Sequence, residues 1–159
     1  MLLARTRLLV ATLWAGSLWG IGYIAAPTLF ATLSDRVLAG TIAGSLFNTQ
    51  AWVSIACGVL MLLLLWATRP GTEGIFAGPA VNMAAKGRRT VMIIVVVMLA
   101  GTLVSHFGLQ PMMAALRASA GPGGVMESAA RNEFGILHGV SSAIFLVQSL
   151  LAAWLVVKQ

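Results

Sequence analysis

The sequence predicts an all-α fold, a polytopic membrane protein built as a four-transmembrane-helix bundle with both termini in the cytoplasm. Composition is the first reason: 59% apolar residues, 9% charged residues and a mean hydropathy of +0.94 lie outside the range of soluble domains. Patterning is the second. Apolar windows at 8–30, 46–68, 90–113 and 134–157 each approach the roughly 20 residues that cross a hydrocarbon core. Charge distribution is the third, because Lys and Arg are retained on the cytoplasmic side during insertion. Arg5, Arg7, Arg69, Lys86, Arg88, Arg89 and Lys158 fall at the termini and between the second and third windows. The other two connections hold Arg36, Arg117 and Arg131 beside Asp35, Glu127 and Glu133.

The 159 residues thus form a single transmembrane domain, expected in a bacterial inner membrane. The first window follows Arg5 and Arg7, as a secretory signal would. Its length and its bulky Trp14, Trp19 and Tyr23 favour a retained anchor. Residues 31–45 form an outer connection in which Ser34 is a candidate N-cap for a helix running into the second window. Residues 69–89 carry prolines and glycines without sustained periodicity and read as an irregular cytoplasmic loop. The outer connection 114–133 breaks at "AGPGG", after which Glu127 and Arg131 stand four apart with the acid first, the favourable order for a helical ion pair.

On the fourth window His138, Ser141, Ser142, Phe145, Gln148 and Ser149 share one helical stripe. Small residues mark faces of the others: Gly16 and Gly20 in a GxxxG spacing on the first, Gly40, Gly44 and Gly58 on the second, Gly101 and Gly108 on the third. Such faces let helices approach closely in lipid, within one chain or between copies in a homo-oligomer. Taking 1.5 Å per residue, His106 lies about 7 Å and His138 about 9 Å below the outer boundary. Tyr23, Asn48 and Gln50 fall in the same layer, so His106, His138, Tyr23, Asn48, Gln50, Ser141 and Ser142 are the candidate ligand-binding residues.

"GSLFNTQAW", "LQPMMAALR" and "EFGILHGVSS" together resemble the TMEM205-like family, also catalogued as DUF4149, from "WAGSLWG" to the end of the fourth window. Leu137, His138, Gly139 and Ser141 carry the most specific run. The resemblance implies a four-span membrane protein without an agreed activity. Members often place an Asn seven residues after that His, where this chain has Phe145.

Three function classes remain open. A polar outer-leaflet pocket would bind or carry a small molecule or lipid-like ligand. Alternatively, His106 and His138 would be axial ligands of a haem, in a haem- or quinone-linked redox protein. In the third class the protein is a scaffold or accessory subunit whose polar groups serve helix association. A hydrolase is disfavoured, since no Ser, His and carboxylate set lies within the windows. Nucleic acid is not an expected partner: the positive charge is accounted for by topology and by contact with the lipid bilayer. Arg117, Arg131 and Glu133 read as a solvated rim, Met112 and Met113 as helix-end packing, and Cys57 as a small packing residue.

Overall fold

The computed structural model describes residues 2–68 and 79–159. Four helices are long and apolar enough to cross a membrane: Leu2–Thr32, Arg36–Ala67, Ala85–Ala118 and Arg131–Val157. Among the described residues there is no strand. Each span packs against its neighbours in the chain, and the fourth closes the ring onto the first. The termini meet at one end, where Arg7 Nε donates to Gln159 Oε1 at 3.0 Å. Arg88 Nε reaches the Leu65 carbonyl at 3.2 Å at the same end. We call this the terminal end and the opposite one the distal end.

The helices exceed the expected windows in length. The third begins at Pro79, so the part of the expected loop from 79 to 89 is helical, while 69–78 lies outside the described residues. Pro79 suits a helix start because its missing N–H would have had no intrahelical partner there. The second helix is capped by Asp35 rather than Ser34: Asp35 Oδ1 accepts from the N–H of Val37 at 2.8 Å and of Leu38 at 3.0 Å. Glu127 does not pair with Arg131 along a helix. It ends a short 3-10 turn, Val125–Glu127, and the fourth helix starts only at Arg131.

Packing is dense in the terminal half. Ala11, Trp14, Ala15 and Leu18 meet Cys57, Met61 and Leu65 of the second span, Val91, Ile94, Val95 and Met98 of the third, and Ala152 and Leu155 of the fourth. The 0, 3, 4, 7 spacing of the first and third sets is what one helical face demands. Two polar clusters fasten this core at its upper edge. Trp14 Nε1 and Gln50 Nε2 both donate to Ser54 Oγ, at 2.9 and 2.8 Å, joining the first span to the second. Gln148 Nε2 donates to Thr102 Oγ1 at 2.8 Å and to the Met98 carbonyl at 2.7 Å, joining the fourth to the third. Hydrogen bonds count here because apolar burial does not drive helices together inside lipid.

Above these clusters the first and third spans change register. The first is α-helical over Leu2–Trp19, π-helical over Gly20–Ala25 and α-helical again over Ala26–Thr32. The third repeats the pattern, with a π-turn at Val104–Leu109 between α segments. Ala26 N–H reaches back five residues to the Ile21 carbonyl, and Gln110 N–H to that of Ser105. Pro27 and Pro111 follow one residue later. A proline ring collides with the carbonyl four residues back, and the wider turn relieves that contact.

Glycine placement corrects the expected helix seams. Gly16 and Gly20 have no atom within 4 Å of a Cβ added to them, so their face is not a contact inside this chain. The same holds for Gly40 and Gly108, whereas Gly58 lies against Leu99 and Trp14, and Gly101 against Gln148 and Ile144. Trp14 is fully buried and large, so Trp14→Ala should cost about 3 kcal/mol by cavity formation. Trp14→Phe, which removes the bond to Ser54 but little volume, should cost about 1 kcal/mol or less. Thermal unfolding of the two variants in one detergent measures the ratio.

Candidate functional site

The π-turns spread the distal half of the bundle around a cavity of about 920 Å³. Its walls come from all four spans, and residues 123–126 of the last connection lie over its distal end. Gly124 fits that cover for two reasons: its φ of +79° is a left-handed conformation, and a Cβ there would stand 2.8 Å from Val37 Cγ2. Val125 beside it is buried.

The cavity reaches past Phe145 to Leu18, Ser54 and Gln148, with Phe145 on its fourth-span wall. The Phe145 ring meets Tyr23 edge-on at 5.8 Å between centroids and Phe47 at 5.7 Å, tying the fourth span to the first and second. It lies directly over Gly22, where a side chain would collide with it. Below Phe145 the first span packs along the fourth, but its distal segment leaves the fourth and leans on the second. Tyr23, Pro27, His138 and Ser142 are exposed along that divergence, so the cavity opens sideways between the first and fourth spans.

Six of the seven expected residues, Tyr23, Gln50, His106, His138, Ser141 and Ser142, line this one cavity. Asn48 does not; it is exposed on another face of the second span. At 100° per residue, a position two residues from Gln50 is rotated by about 200°, so equal depth could not place both inside. His106 stands between Trp52 and Phe107, with ring centroids 5.3 and 4.5 Å away, and its Nδ1 is buried without a partner. His138 stacks on Phe134 at 6.0 Å with the planes 6° apart. Ser149, on the same stripe, is buried away from the cavity.

Polar groups on the walls divide into two sets: Thr41, Ser54, Thr102 and Gln148 are hydrogen-bonded, and others are not. Threonines such as Thr28 and Thr41 bond their own helix four residues back. The Ser141 and Ser142 hydroxyls have no such bond, and neither has the Tyr23 hydroxyl. Gln50 is 3% exposed; its Nε2 is used on Ser54, while its Oε1 has no partner. No acidic side chain lines the cavity among the described residues.

Sequence reasoning missed Arg117, which is not a solvated rim residue. It lies over the Phe134 ring at 5.4 Å, lines the cavity, and extends to Gly44, where an added Cβ would stand 2.9 Å from Nη1. The available signal was the pairing of Arg117 with Gly44, a small residue facing a long cation, but nothing in the sequence links positions so far apart.

The fold defines a four-span membrane helix bundle with a largely apolar cavity in its distal half, alongside the two π-turns that precede Pro27 and Pro111. A model of DUF4149, a domain of unknown function, matches residues 9–122, and the chain belongs to that family. The matched segment spans the first three helices, so the run from Leu137 to Ser141 lies beyond it. No curated protein and no solved structure matches the chain.

The close contact of Phe145 with Gly22 yields a contrast between glycines. Gly22→Val should lower stability by roughly 1–3 kcal/mol as Phe145 is displaced. Gly16→Val, on an open face, should be near neutral in the monomer. Detergent-solubilised melting curves of the two variants check the difference.

Proposed function

We infer that this protein binds a small amphiphile, with the ligand's polar end in the distal cavity and its apolar part toward the lateral opening. The observation that carries this reading is a cavity walled by Phe47, Phe145, Met113 and Leu146 yet lined by Gln50 and His106, each with a buried polar atom that has no partner, and by the hydroxyls of Ser141, Ser142 and Tyr23. An apolar enclosure with a few convergent polar groups is the usual form of a small-molecule site, and 920 Å³ falls within its ordinary range. A lateral opening suits a ligand that arrives from the bilayer.

The terminal end carries Arg5, Arg7, Lys86, Arg88, Arg89 and Lys158, which supports a cytoplasmic location for both termini in a bacterial inner membrane. The cavity then lies in the outer leaflet. Gly16 and Gly20, unused within the chain, supply a face on which a second copy could pack. A second reading draws on His106 and His138 lining one cavity: a bis-histidine haem. The aromatic neighbours of both rings favour the amphiphile.

In a maltoside detergent, single-chain amphiphiles should raise the melting temperature of the full chain. Ser141→Phe, which fills the cavity, should abolish the rise, and Asn48→Ala should leave it intact. No rise with any amphiphile would sink this reading. A Soret band in protein from haem-replete cells, lost in His106→Ala and His138→Ala, would replace it with the haem reading. A reporter fused after Gln159 should be active only when cytoplasmic, which checks the orientation.

A further inference from the structure

We propose that the ligand of the distal cavity is an anionic amphiphile with one apolar chain, and that Arg117 holds its carboxylate or phosphate head. This rests on the reading of the cavity as an amphiphile site and adds the chemistry of the head. The guanidinium of Arg117 faces the cavity mouth with no carboxylate partner among the described residues; its neighbours are the Phe134 ring and Gly44. Arg117 is half-buried, and an aromatic face compensates only part of the cost of taking a cation from water. Gly44 leaves the space into which Nη1 reaches.

A second arginine stands at the same mouth. Arg36 lines the cavity, and one of its amino groups donates to the Phe30 carbonyl, which holds the side chain at the rim. Two guanidiniums line the mouth and, among the described residues, no acidic residue does; Glu127, whose carboxylate stands against the lining residue Gly123, leaves the arginines in excess, which favours negative charge. Deeper in, Gln50 Oε1 is a buried acceptor without a partner, matched to a hydroxyl or other donor on the same ligand. A free anion would use the mouth but leave the Phe47 and Phe145 walls empty. A two-chain phospholipid exceeds a cavity the size of a drug-like molecule.

The test uses the full chain in neutral maltoside detergent. Binding of oleate, oleoyl lysophosphatidylglycerol, oleyl alcohol, oleoyl lysophosphatidylcholine and inorganic phosphate is measured by titration calorimetry and melting shift. Oleate and the lysophosphatidylglycerol carry the two possible heads, carboxylate and phosphodiester, and whichever binds tighter identifies the source. At least one should bind tenfold or more tighter than the alcohol and the lysophosphatidylcholine, an advantage of about the size expected for a charge-assisted contact. Arg117→Gln should erase that advantage, bringing the anionic amphiphiles to the affinity of the alcohol in the same variant, and Arg117→Lys should retain part of it.

Equal binding of all four amphiphiles to the wild type would overturn the anionic head while leaving the amphiphile site standing, a comparison that needs no variant. An advantage that survives in Arg117→Gln would remove Arg117 from it. Phosphate binding as tightly as the amphiphiles would make this a free-anion site. If no amphiphile binds, the reading of the cavity falls first and this inference with it.

Discussion

A proline inside a membrane-spanning helix is the constraint on which the distal half of this protein depends. It supplies no N–H, and its ring cannot share space with the carbonyl of the preceding turn. In water the chain could end the helix there, but in hydrocarbon it must keep its backbone groups bonded and continue. Pro27 and Pro111 are each answered by the same device, a six-residue π-turn placed just before the proline. These are the first and third spans, which run in the same direction, and residues of both turns line the cavity. One widened helix would tilt a wall; two of them open the bundle.

The terminal half carries the stability that such an opening requires. Its core is filled by Trp14, Met61, Met98 and Leu155, and its upper edge is fastened by the Ser54 and Thr102 clusters. There Trp14, Gln50 and Ser54, and Gln148 and Thr102, bond one another, while the buried Ser149 hydroxyl has no partner. A few ångströms further along the helices the hydroxyls of Ser141 and Ser142 have no such bond. Gln50 belongs to both regimes, with its amide nitrogen in the fastening and its oxygen unpartnered at the cavity. The division between a satisfied clamp and an unsatisfied chamber is what makes the distal half, and not the core, the place to look for a ligand.

How much of the site was legible depended on the kind of relation involved. Stripe residues on the fourth span were readable because 0, 3, 4 and 7 spacing is a property of one helix, and His138, Ser141 and Ser142 do face the cavity. Position along each helix was readable for the same reason. Rotation was not: Asn48 shares its layer with Gln50 but looks elsewhere, since two residues along a helix reverse the direction of a side chain. The glycine seams were legible only in part: Gly58 and Gly101 meet other spans, while Gly16 and Gly20 do not, because a GxxxG spacing marks a face without naming the face it meets. Arg117 was hidden by its place at a helix end, where solvation is the default expectation, and by a partner ring and a partner glycine on two other spans.

By itself the sequence determined that this chain lives in a bilayer as four helices. Hydropathy adds up along a contiguous stretch, and a stretch of sufficient length has no other way to satisfy its backbone in lipid. That Pro27 and Pro111 disturb two of those helices is seen only in the structure. Only the tertiary structure decided that both disturbances fall around one chamber, that Phe145 rests on Gly22 at its wall, and that Arg117 turns inward over Phe134 instead of outward to water. Those outcomes depend on the rotation of each helix about its axis and on the fit between side chains far apart in the chain. They are set by pairwise packing energies that no single segment contains.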